Sequence, residues 1–176
     1  ASDAGPFMKG AFAEGIGGPG YMWFGSDAVT KSDTGLNNGV LLPQLALGTG
    51  TPGAGWRNST LAEAVVKLGL DAGFTHIDTA SDYRNQDGVG KALAKQSRDS
   101  YFLTTKVPPQ SNSRTAFHGT TKDLDDDLQQ LGLDYVDLVL LHYPPRTQSC
   151  PAMQEAWRAM EAFLKAGKAK AIGVSN

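Results

Sequence analysis

From Leu36 to Asn176, short apolar runs alternate with longer segments of helical period, and that alternation limits the fold more than any other feature of the chain. It opens with LNNGVLL, in which Asn38 and Gly39 both tolerate positive φ and suit a two-residue turn, predicting a small hairpin. LPQLALGTG follows as a short buried strand running into the glycines Gly48 and Gly50. Thr60 with Glu63 three residues later reads as a capping box, and Leu61, Val65 and Leu68 then mark a helix with one buried stripe. The series continues with FTHID as a strand, a helix around Val89 to Leu93, and YFLTTK as a strand. A further helix buries Leu124, Leu128 and Leu131 opposite the acidic run Asp125 to Asp127. VDLVLLH is apolar on both faces, as a strand covered by helices on a parallel sheet must be. Met153, Trp157, Met160 and Leu164 mark the apolar side of the next helix, and AKAIGVSN is the fifth strand of the series. Repeated βα units with right-handed crossovers fold as an open doubly wound sheet or as a (β/α) barrel, and the pattern by itself admits both.

The first 39 residues are a different material. They hold nine of the 21 glycines, interleaved with Phe7, Met8, Phe12, Tyr21, Met22, Trp23 and Phe24 in neither helical nor alternating period. Residues 1–33 are therefore expected to form an irregular arm before a domain at 34–176, either as a flexible leader or as a docking arm laid across a partner. The absence of an initial Met also admits removal of a targeting peptide. A net charge of −2 offers no broad cationic surface for nucleic acid, and no apolar run is long enough to cross a bilayer. The single cysteine, Cys150, rules out an intramolecular disulfide and any metal site built on several thiolates.

Polar residues choose between the two architectures. Asp78, Lys106, His142 and Ser175 with Asn176 all fall at the carboxyl ends of expected strands. A (β/α)8 barrel gathers its reactive groups at that rim, and a charge placed inside a strand elsewhere would need a partner to offset its desolvation. Asp78 and Lys106 are suited to be such a pair.

GFTHIDTASDYRNQDGVGKAL, LTTKVPP, LDYVDLVLLHYPP and GKAKAIGVSN together resemble the N-terminal half of an aldo-keto reductase, over about Leu36 to Asn176. Gln86 stands where that family often has Glu, and Thr75 where Arg is common. The resemblance implies an α/β fold: a partial (β/α)8 TIM barrel, its first five βα units preceded by the hairpin and the arm. It also implies NADPH-dependent reduction of an aldehyde or ketone to an alcohol, with NADH left open as the cofactor and a small carbonyl compound as substrate. By the same resemblance Tyr83 is the proton donor, Lys106 and Asp78 its tuning pair, and His142 the group orienting the carbonyl. Gly48, Thr49 and Gly50 correspond to the loop at the base of the pocket, and Asp78, Ser175 and Asn176 to cofactor-binding positions. The chemistry calls for these residue types. A carbonyl that accepts a hydride at carbon develops negative charge on oxygen and must receive a proton; a neighbouring ammonium makes a phenol a better source of it. An imidazole near the same oxygen adds a hydrogen bond, and the hydride has to come from a nicotinamide because no side chain delivers one.

Elsewhere the chemistry is sparse. His76 reads as structural, His118 as exposed, Asp125 to Asp127 as a helix exterior, Cys150 as an unreactive loop residue near a helix start, and Trp157 as core. A complete barrel takes about 250 residues, so five units leave the first and last strands without neighbours and most of the family's cofactor grip beyond Asn176. Two functions of different class follow: a reductase, or a catalytically incompetent reductase-like subunit whose open edges and aromatic arm dock in a larger assembly, organellar or even photosynthetic. The compartment is likewise open between the cytoplasm, the family's usual place, and an organelle such as a plastid.

Overall fold

The computed structural model describes residues 33–145 and 150–176; the arm expected at 1–33 lies outside them except for Asp33. Five parallel strands lie side by side in sequence order, β3 (Leu47–Gly48), β4 (His76–Asp78), β5 (Phe102–Val107), β6 (Val136–Leu141) and β7 (Ala169–Val174). Helices α1 (Ser59–Asp71), α2 (Gln86–Leu93), α3 (Ser113–Leu131) and α4 (Cys150–Lys165) connect them. Strands that pair strictly in chain order form the arc of a partial (β/α)8 barrel, not a doubly wound sheet, whose order reverses at a switch point.

The antiparallel pair β1 (Asp33–Gly35) and β2 (Leu41–Pro43) precedes the arc as expected, but its turn differs. Gly39 adopts φ 84° while Asn38 stays out of the left-handed region. The Gly39 amide bonds to the Leu36 carbonyl, and the Leu36 amide to the Val40 carbonyl, which makes a three-residue loop with glycine in the left-handed position. Asn38 instead uses its side chain, accepting from the Val40 amide and donating to the Lys170 carbonyl. The hairpin thereby covers the amino ends of the strands, where Leu36, Val40 and Leu42 pack against Phe102, Leu138 and Ala171. His76 pins it, bonding through one ring nitrogen to the Pro43 carbonyl and through the other to Thr104, which is the structural role expected of it.

The larger core lies between strands and helices, with Ile77, Leu103, Val107 and Val139 meeting Val66, Val89, Leu124 and Met160. Two helices bury a face rotated from the expected one. In α1 the buried residues are Ala62, Val66 and Gly69, while Leu68 is 65% exposed; the cap is Asn58, which accepts from the Leu61 amide, not a box on Thr60. In α4 the buried face is Ala152, Ala156, Ala159, Met160 and Phe163, with Met153 exposed and Trp157 half-buried. Small residues set the phase because they let a helix approach the sheet closely: a Cβ on Gly69 would stand 2.4 Å from a Leu47 methyl. In α3 the expected leucines are buried, but Asp127 is buried with them, a correction to its reading as helix exterior. Asp125 and Asp126 do face outward, pairing with Lys168 and Lys122.

Candidate active site

Side chains alternate along β5, so Phe102, Thr104 and Lys106 share the inner face of the arc while Leu103, Thr105 and Val107 face the helices. Lys106 is thereby carried into the interior at the carboxyl end of the strand, 6% exposed. A buried ammonium requires compensation. Asp78, the last residue of β4, supplies it as a direct ion-pair partner, and the Thr79 carbonyl accepts a second hydrogen bond at 3.2 Å.

After β4 the chain forms a short 3-10 turn, Ser81–Tyr83, closed by the left-handed Arg84. This turn brings the Tyr83 hydroxyl to 3.3 Å from Lys106 Nζ. Gly50 makes room for the phenol: a Cβ there would lie 2.5 Å from the ring, so only glycine fits opposite Tyr83. Thr49, fully buried, ties this loop to β4 through its amide, 2.9 Å from the Asp78 carbonyl, and Gly48 pairs with Asp78 in register. Asn85 completes the fixation, donating to the carbonyls of Thr49 at 3.0 Å and Gly55 at 2.9 Å, while the Arg57 amide bonds to the Tyr83 carbonyl.

His142 follows β6 and is 3% exposed. Its ring meets Tyr83 edge to face at 5.5 Å between centroids and stacks on Tyr143 at 4.1 Å. Nδ1 lies 3.4 Å from the Asp82 carboxylate. Burial, reinforced by the Lys106 charge, pushes the imidazole below its ordinary range, so the ring is neutral at neutral pH. Ser175 and Asn176 follow β7: the Asn176 amide donates to the His142 carbonyl at 2.8 Å and to Ser175 Oγ at 3.1 Å. The Ser175 hydroxyl proton and the Asn176 side-chain carbonyl have no partner among the described residues. One donor and one acceptor side by side match the carbonyl and amino group of a carboxamide.

The nine positions selected from sequence thus gather at one rim. Lys106 touches both Asp78 and Tyr83, His142 meets the Tyr83 ring, Asn176 bonds to the His142 carbonyl and to Ser175, Gly50 backs Tyr83, and Thr49 and Gly48 lie against Asp78. Sequence reasoning did not select Ser81, Asp82, Asn85, Gln86 or Asp127. Asp127 carried a signal: it lies three residues beyond Leu124 and four before Leu131, inside the buried stripe. It accepts hydrogen bonds from Ser81, Gln86 and Thr105, and burial pushes its carboxyl up to about 6.

Residues 44–176 match the model of the aldo/keto reductase family. The chain belongs to the aldo/keto reductases. It is 41% identical over 153 residues to an NADPH-dependent alpha-keto amide reductase of Saccharomyces cerevisiae, covering 80% of this chain and 48% of that protein. To a methylglyoxal reductase of Yersinia pestis it is 39% identical over 144 residues, 80% of this chain and 47% of the other. Among solved structures, an aldo/keto reductase from Brucella melitensis superposes with a TM-score of 0.73 at 40% identity, covering 84% of this chain and 54% of that one. One from Bombyx mori in complex with NADP gives 0.67 at 32% identity, over 84% and 51%. The aldo/keto reductase chain described here spans about half the length of the curated relatives it matches.

Proposed function

We propose that this protein reduces a small aldehyde or ketone to the alcohol with NADPH, using Tyr83 as proton donor. The observation that carries this reading is the Tyr83 hydroxyl 3.3 Å from Lys106 Nζ, itself ion-paired with Asp78. An ammonium held there favours the phenolate that remains once Tyr83 has given up its proton. Asp78 and the Thr79 carbonyl hold that ammonium in place and aim it, and the neutral His142 ring bounds the same space, where it orients the carbonyl. The carbonyl carbon gains a hydride, the bonding pair of C=O moves to oxygen, and the oxygen takes the Tyr83 proton. When bound, the nicotinamide supplies that hydride. Ser175 and Asn176 would hold its carboxamide, and the loop Gly48 to Gly50 and Asp78 would line the base of the site. The reductase activities named for the relatives from Saccharomyces cerevisiae and Yersinia pestis support the reading.

The test is Tyr83→Phe in the full-length protein. Carbonyl-dependent NADPH oxidation is expected to fall by about 100-fold or more, as befits loss of a general acid, with nucleotide affinity retained. Comparable turnover in the two proteins rejects Tyr83 as donor.

A further inference from the structure

Asp127 takes no part in the proposed proton transfer, yet it is a carboxylate 1% exposed, and no lysine or arginine pairs with it among the described residues. Such a group is costly to keep and calls for a reason. Its neighbours supply one. Asp127 Oδ1 accepts from Gln86 Nε2 and, at 2.7 Å, from the Ser81 hydroxyl; Oδ2 lies 2.9 Å from Thr105 Oγ1. Thr105 Oγ1 is also 2.7 Å from Gln86 Oε1, and Ser81 Oγ is 3.0 Å from the Lys106 carbonyl. One carboxyl group on α3 therefore joins the start of α2, the outer face of β5, and the first residue of the turn that ends in Tyr83.

We propose that Asp127 is a positioning residue for the reduction: acting through Ser81, its carboxyl group clamps the turn that carries Tyr83 to the strand that carries Lys106. The proposal rests on the reading of Tyr83 as proton donor. Thr105 and Lys106 are consecutive on β5, so the clamp on the outer face and the reactive contact on the inner face share one peptide unit. Counting hydrogens makes the idea specific. Thr105 has one hydroxyl proton; given to an ionised Asp127, it leaves Gln86 Oε1 without a donor. A protonated Asp127 donates to Thr105, which then donates to Gln86, and the ring closes. An amide at position 127 reproduces that closed ring, whereas alanine opens it.

The experiment compares Ser81→Ala, Asp127→Ala and Asp127→Asn in the full-length protein by two readouts. The first is hydrogen exchange at the amides of Tyr83 and Arg84, which bond to the carbonyls of Ala80 and Ser81. The second is kcat and KM for NADPH. Ser81→Ala and Asp127→Ala are expected to speed that exchange by about 10-fold, and to lower kcat by about 10- to 100-fold at nearly constant KM. Asp127→Asn, which closes the ring at any pH, restores both. Ser81→Ala removes only a hydroxyl, so the test stands if Asp127→Ala fails to fold. Unchanged exchange in Ser81→Ala, faster exchange with unchanged kcat, or an Asp127→Asn protein as impaired as Asp127→Ala each overturns the proposal. Tyr83→Phe run alongside separates the two readings: full turnover there sinks the donor assignment, while the exchange data still report on whether the clamp exists.

Discussion

Two buried charges in this domain are handled in opposite ways. Lys106 is compensated by the charge of Asp78, whereas Asp127 among the described residues has only neutral donors, Ser81, Gln86 and Thr105, which offset its burial only in part, and Asp123 one turn back adds like charge. Its folded-state carboxyl therefore holds a proton more tightly than the unfolded one. Stability tied to this group is fully present below the unfolded value and lost as pH rises through about 6. The rise from the ordinary 3.8 to about 6 corresponds to about 3 kcal/mol. Asp127→Asn, fixed in the neutral form, should thus gain stability over the parent protein at pH 8 and lose that advantage near pH 4, as read by urea unfolding at both pH values. An equal difference at the two would show that Asp127 does not titrate across this range. Why the sequence revealed Asp78, Tyr83 and Lys106 but not Asp127 is a matter of context. Asp78 and Lys106 stand at strand ends, where polar groups are unexpected unless they do something, and Tyr83 was selected by the family resemblance. Asp127 sits beside two acidic residues that do face outward, and composition masked its place in the leucine period.

At the scale of elements, the succession of strands and helices was legible because parallel strands buried on both faces leave uninterrupted apolar runs. The rotation of α1 and α4 was not, because large apolar residues dominate a reading by hydrophobicity while alanine and glycine form the faces that touch the sheet. Gly88 and Gly90 let α2 approach its neighbouring helices instead: an added Cβ would meet the Ser59 carbonyl at the start of α1 and the Leu131 carbonyl at the end of α3. The observed phase of α1 makes a clear prediction. Val66→Ala, at a fully buried position, should cost about 2 kcal/mol. Leu68→Ala, at one 65% exposed, should cost less than about 0.5 kcal/mol. Denaturant midpoints at constant slope measure both, and the reverse ranking would restore the phase read from Leu61, Val65 and Leu68.

For the whole molecule, the described arc has β3 and β7 at its margins, each paired on one side only among the described residues. Val174 on β7 is 68% exposed, beside a groove lined by Leu141, Met153 and Trp157. Unpaired backbone flanked by apolar side chains recruits further strands, so the 176-residue chain by itself should self-associate at micromolar concentration. Val174→Lys should weaken that association in sedimentation velocity; a monodisperse parent chain that unfolds cooperatively would contradict it. The contact between Asp78 and Lys106 has a different consequence, since only 28 positions separate them, with Tyr83 in between. All three belong to a single β4–α2–β5 unit, and the entropy of closing so short a loop is small and grows only logarithmically with its length. The phenol, ammonium and carboxylate thus have the local topology to meet during synthesis, as soon as β5 leaves the ribosome and before α3 has emerged to lock them from behind.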